Sequence, residues 1–311
     1  CYCCGCCVGS IEIDTYYLVE KQMRYKDREG NLKGKNGFQD KLLKSLYGNV
    51  LGRVVIKCLT VPLVSELGGK ILDSSFSKVL IPPFVKMNHI DLSLCEQNKF
   101  KSYNAFFKRK FKADAREINM QENVFISPCD AKLTVYPIGK ESRFCIKHTS
   151  YTVEELLKNK KTAAKYEGGY AWVFRLSVED YHRYCYVASG VKSRNVRIPG
   201  VFHTVNPVAN DAYPIYKENT REYSLLKTEE FGTILMMEVG ALMVGKIENR
   251  HEEREVKRGE EKGNFAFGGS TIILLTQKDK VCVDRDILKN TECAYETLVK
   301  MGEKIGEQKY V

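Results

Sequence analysis

Nowhere does this sequence stay apolar and uncharged for the ~20 residues that a membrane-crossing helix needs. Its longest candidates, Cys58 to Ser65 and Val79 to Val85, are short and carry prolines. The chain is therefore expected not to span a bilayer. Zinc-finger spacing and aromatic RNA-binding signatures are also missing, which argues against a nucleic-acid partner despite the formal net charge of +10. Outside the first seven residues no cysteine pair has CxxC spacing. Cys58, Cys95, Cys129, Cys145, Cys185, Cys282 and Cys293 are scattered, as reduced thiols of a cytoplasmic setting would be. No metal is expected in the body of the chain. The CYCCGCC head could carry a metal or an acyl group. Histidine is scarce, at five residues, so any imidazole chemistry has few candidates.

What is present is ordinary globular material, 43% apolar and 28% charged. Residues 1–22 read as a leader outside the functional fold. Residues 23–114 read as a basic, helical region, with Leu42, Leu43, Leu46, Val50, Val54 and Val55 near helical spacing and a break or kink at Pro62. Such a face can pack on the protein or lie on an anionic bilayer. Tyr103, Phe106 and Phe107 beside Lys108, Arg109 and Lys110 suggest a core-facing helix with a solvated basic edge.

From about residue 115 the texture changes to short β-branched and aromatic runs. They are bounded by Gly, Pro, Asp and Asn, and interrupted by a helix from Val153 behind a Thr152 cap. The expected class is α+β. It has an antiparallel-rich β barrel or sandwich as catalytic core over 115–311 and a helical, membrane-facing N-terminal part.

The strongest local signal is RGEEKGNFAFGGST, Arg258 to Thr271. Two glycines before a serine at a strand start leave the Gly269 carbonyl unshielded by any side chain. By shape alone this is a glycine turn feeding a strand. Five further segments occur in order along the chain. They are YNAFFKR from Tyr103, ISPCDA from Ile126, DYHRY from Asp180, PGVFHTVNP from Pro199, and VGALMVGKI from Val239. Together with the glycine-rich string they resemble the phosphatidylserine decarboxylases over roughly residues 100–311.

That resemblance implies a pyruvoyl-dependent enzyme made by self-cleavage between Gly269 and Ser270. The Ser270 hydroxyl would attack the Gly269 carbonyl, turning the amide into an ester. Elimination and loss of ammonia would then leave a covalent pyruvoyl group at 270. A histidine must take the hydroxyl proton, and a carboxylate orients it; Asp130 fits the latter by its place in the motif. His182 is the candidate acid for decarboxylation. Many members carry a second histidine in DYHRxH where this chain has Cys185, so His182 and His203 stand as alternative bases for cleavage. The resemblance further implies phosphatidylserine as substrate and phosphatidylethanolamine as product. It also implies a heterodimer of large and small chains, with higher oligomers not excluded, and a peripheral position on the cytoplasmic face of the cell membrane. Two rivals are a pyruvoyl decarboxylase of a soluble amino acid and a non-catalytic lipid-binding β module. In the latter GGST is only a turn.

Overall fold

The computed structural model describes residues 25–33, 62–146, 149–200, 218–240, 247–266 and 270–310. The leader 1–22, the helical face from Leu42 to Val55, His203 and Gly269 lie outside them. The described N-terminal part is a hairpin followed by short helices: β1 (Tyr25–Lys26), β2 (Leu32–Lys33), α1 (Pro62–Asp73), α2 (Ile81–Asn88) and α3 (Tyr103–Phe107). Then come β3 (Val124–Ile126), β4 (Ala131–Pro137), β5 (Arg143–Ile146), β6 (Thr149–Thr152), α4 (Val153–Leu157) and α5 (Lys160–Ala163). The middle holds β7 (Tyr170–Leu176), β8 (Arg183–Cys185), β9 (Gly190–Lys192), β10 (Val196–Ile198), β11 (Arg221–Lys227) and β12 (Thr233–Val239). The chain closes with β13 (Ile247–Asn249), β14 (Arg254–Val256), β15 (Glu261–Phe265), β16 (Ser270–Thr276), β17 (Val281–Val283), α6 (Arg285–Glu292), β18 (Glu296–Val299) and β19 (Lys304–Gln308).

Eleven of these strands form one sheet in the order β14-β9-β11-β12-β16-β7-β4-β18-β1-β2, with β10 beside β11. Smaller sheets, β13-β15-β8, β17-β19-β3 and β5-β6, complete the strands. The expected mixed, strand-rich class holds, but the closed barrel does not. The large sheet is open, because its end strands β14 and β2 do not pair with each other. The N-terminal part is corrected too. Residues 25–33 form a hairpin whose first strand runs parallel to β18, rather than a helix. Pro62, expected to break a helix, stands at the start of α1, where its missing N–H costs nothing.

The central strands YAWVFRL (β7) and STIILLT (β16) are apolar on both faces because both faces are covered. Ile272 and Leu274 pack with Phe125, Phe174, Tyr184 and Tyr186; Ile273 and Leu275 pack with Val153, Leu156 and Tyr166 of the helical segment. Each such side chain contributes about 1.5–3 kcal/mol by leaving water. The helix from Val153 starts as the sequence suggests. Thr152 Oγ1 accepts from the Glu155 N–H, and the Glu155 carboxylate accepts from the Thr152 N–H, a reciprocal cap.

Two glycines of the long motif have structural causes. Gly259 sits at φ +75°, a left-handed backbone that other residues adopt at a cost. At Gly263 an added Cβ would lie 2.5 Å from the Glu248 carbonyl oxygen and 2.8 Å from the Tyr184 hydroxyl. Gly263→Ala should therefore lose about 1–3 kcal/mol of unfolding free energy by denaturant titration. An unchanged midpoint would show that β8 and β15 can part without cost.

Candidate active site

Strand register gathers the motifs at one edge of the large sheet. Ser270, the first residue of β16, pairs with Leu176, the last of β7. Lys132 of β4 pairs with Arg175, so one step further Ala131 stands opposite Leu176. On the other side Thr271 pairs with Val239, where VGALMVGKI begins. Strands lie about 4.8 Å apart. The ISPCDA turn, the end of β7 and Ser270 therefore form one row. From Leu176 the chain turns directly into Asp180 and His182.

Ser270 is 1% exposed, and its Oγ has no hydrogen-bond partner among the described residues. A buried hydroxyl left without a partner costs about 1–3 kcal/mol, and Thr271 Oγ1 beside it is in the same position.

His182 is equally buried. Its Nδ1 lies 2.9 Å from the Asp180 carbonyl oxygen and its Nε2 has no partner among the described residues. A carbonyl oxygen only accepts, so Nδ1 carries the proton and Nε2 presents its lone pair. Phe107 of α3 lies against the ring at a centroid distance of 4.0 Å. Burial, reinforced by the Arg109 guanidinium, lowers the His182 pKa to about 3. The imidazole is thus a neutral acceptor at physiological pH.

Asp180 divides its work. Its main-chain carbonyl orients His182, while its carboxylate caps the Ser177 N–H at 2.7 Å and receives Lys132 Nζ at 2.7 and 2.9 Å. Asp130 has its partners elsewhere among the described residues. Arg116 grips both its oxygens at 2.5–3.2 Å, and the Met301 N–H donates to Oδ1 at 2.9 Å. Asp130 and His182 thus belong to one sheet edge with no hydrogen bond between them. Cys185 does lie close to Asp130. Its N–H donates to the Pro128 carbonyl at 2.9 Å, and burial with the Asp130 charge pushes its thiol up to about 12. Burial thus disfavours its thiolate, the form that acts as base or nucleophile.

The motif string around the site is built of interlocking contacts. Arg183 donates to Lys108 O at 2.8 Å and to Glu261 at 2.7 Å, tying DYHRY to YNAFFKR and to RGEEKG. Arg258 reaches the carbonyls of Val124 and Glu122. Lys262 forms a fully buried ion pair with Glu238 at 2.7 Å, shared with Asn249. The sequence pattern showed none of these pairings, because their partners are far apart along the chain. Arg109, read as part of a solvated edge, is instead 3% exposed.

A family model for phosphatidylserine decarboxylase matches residues 103–307. The chain belongs to the phosphatidylserine decarboxylase family. It is 43% identical over 267 residues to phosphatidylserine decarboxylase proenzyme 2 of Clostridium acetobutylicum, covering 85% of this chain and 91% of that protein. It is 38% identical over 296 residues to the proenzyme of Fusobacterium nucleatum subsp. nucleatum, covering 93% and 99%. With the proenzyme of Clostridium perfringens strain ATCC 13124 it shares 40% over 268 residues, 84% of this chain and 91% of that one. The family match and the sheet-edge row therefore fall on the same residues.

Folded His182 titrates near 3 and an unfolded histidine near 6.5. Its contribution to stability is complete above the higher value and declines as pH falls toward the lower one. Going from about pH 6.5 to about pH 4.5 should cost about 2–3 kcal/mol through this group. His182→Asn should remove that part of the acid sensitivity in paired denaturant titrations. Equal slopes in the two proteins would show that His182 is not held neutral.

Proposed function

We propose that this chain is a phosphatidylserine decarboxylase proenzyme that cuts itself between Gly269 and Ser270 and uses the resulting pyruvoyl group to convert phosphatidylserine to phosphatidylethanolamine. The observation that carries the reading is the buried, unpartnered Ser270 hydroxyl at the head of β16, beside the turn that bears His182. Its freedom from other bonds fits a group that must give up its own proton and bond to carbon. His182, with a bare Nε2, has the protonation state needed to accept that proton. His203 lies outside the described residues and is kept as the alternative base. Asp130, through Arg116 and Met301 N, holds the ISPCDA turn against the 301 loop, and its charge faces Cys185.

A pyruvoyl group supplies an electron sink for the pair released when carbon dioxide leaves. The protein residues bring the rest: water exclusion by Phe107, and a proton held on or received by His182 Nε2. Once protonated, the same imidazole is a strong acid, the requirement for delivering a proton to carbon.

Cleavage would leave chains of about 269 and 42 residues, the latter beginning at Ser270. They would stay joined, because β16 is hydrogen-bonded to β12 on one side and β7 on the other. Arg28 adds a clasp, reaching Asp284 at 2.8 Å, Asp286 at 2.6 Å and Glu303 at 3.2 Å, all within the short chain.

No helix among the described residues is long and apolar enough to cross a membrane. A peripheral contact with a membrane is supported by an exposed apolar surface around α1 and α2; the cytoplasmic face is part of the proposal. Phe76 is 89% exposed, Val79 71%, Met87 67% and Ile71 61%, with Lys70, Lys78 and Lys86 interleaved. Apolar side chains entering the headgroup region while lysines meet anionic lipid make a surface suited to a lipid substrate rather than a soluble amino acid.

Intact mass of the purified protein tests the cleavage. Two fragments are expected, the smaller with a blocked N-terminus, and Ser270→Ala should remain one chain. A wild-type enzyme that decarboxylates as a single chain would falsify the reading. For the surface, Phe76→Asp with Val79→Asp should reduce flotation with phosphatidylserine vesicles at least about tenfold, since each buried side chain contributes about 1.5–3 kcal/mol. Unaltered flotation would place the membrane contact elsewhere.

A further inference from the structure

Arg109 lies at the end of the YNAFFKR segment and is almost wholly buried, at 3% exposure. Its Nη2 donates to two successive carbonyls, Glu179 O and Asp180 O, both at 2.9 Å. The Asp180 oxygen is the same atom that receives His182 Nδ1. One carbonyl with two lone pairs therefore serves a guanidinium and an imidazole together. Arg109 Nε and Nη1 have no partner among the described residues, and the guanidinium carbon lies 5.2 Å from the Phe106 ring centroid. Burying a cation with donors unpaired is expensive, so folding alone does not account for arginine at this place.

We propose that Arg109 is a positioning residue for His182. By pinning the 179–180 peptides it fixes the carbonyl that holds the proton on Nδ1, and so keeps Nε2 free as the acceptor. Three neighbours maintain the arrangement. Phe107, two residues before Arg109, covers the imidazole face. Arg183 donates to the Lys108 and Arg109 carbonyls and fixes the backbone between them. Lys132 draws the Asp180 and Glu179 carboxylates to itself, so neither is bonded to the ring. The charged groups acting on His182 are then two cations, Arg109 and Lys132, and both disfavour a second proton. Cys95, Asp180, Tyr181 and Asp130 act on the Arg109 charge.

This rests on His182 working in the proposed centre, but its test does not need that reading to hold. Histidine-selective 15N spectra of the full-length protein, with His182 assigned by its loss in His182→Asn, report the tautomer directly. The wild type should show protonated Nδ1, bare Nε2 and no titration between about pH 5 and 8. Arg109→Lys, which keeps the charge, should retain this state. Arg109→Met should mix the two tautomers and raise the pH at which the ring takes up its second proton by about one unit. In the same variant the acid limb of kcat should rise by about one pH unit, with KM little changed. A folded, self-cleaved Arg109→Met protein with wild-type His182 signals and pH profile overturns the proposal. If that variant does not fold, the wild type and Arg109→Lys decide. A wild-type His182 protonated on Nε2, or charged at neutral pH, overturns it as well.

Discussion

The hydrogen-bonded seating of β16 between β7 and β12 is the constraint on which the rest of this protein depends. Full antiparallel pairing along seven residues of β7 fixes Ser270 opposite Leu176. A slip of one residue would exchange every side chain between the two faces and move Ile272 and Leu274 out of their cluster. The same lock that buries the core thus decides where the serine hydroxyl stands. It also explains how a strand that would become the head of a separate chain can stay in place. Its neighbours hold it on both sides, and Arg28 holds the segment beyond it.

A second layer of polar contacts converts that edge into a site. Arg183 links three motifs, Arg258 anchors the strand before ISPCDA, and Lys262 with Glu238 joins β15 to β12 inside the core. A buried ion pair is weak as a source of net stability, since desolvation offsets much of the attraction. What it supplies here is direction, because charged partners at 2.7 Å tolerate few alternative packings. The RGEEKG stretch thus ties β15 to β8, β12 and the segment before ISPCDA.

Many elements were legible locally. β4, β7, β12 and β16 fall on β-branched and aromatic runs, and Thr152 caps its helix as its type suggests. β11, REYSLLK, was not legible, because its arginine is buried by pairing with the carbonyls of Glu155 and Leu156 rather than by an apolar side chain. The expected barrel failed for a related reason. Closure depends on whether two end strands meet, and nothing in either strand's composition encodes that. Arg109 was misread because a run of basic residues after two phenylalanines ordinarily faces water. Only the fold shows that one of them turns inward under the Asp180 carbonyl.

By itself the sequence determined the chemistry that is available: a serine after two glycines, a DYHRY histidine, a cysteine where a second imidazole is often found, and a family written across six ordered segments. These are properties of residue type and spacing, which survive without coordinates. The tertiary structure decided which nitrogen of His182 holds its proton, that Arg116 rather than a described histidine takes Asp130, and that burial disfavours the Cys185 thiolate. Protonation and pairing depend on distance and dielectric, and both are set by residues brought together from opposite ends of the chain.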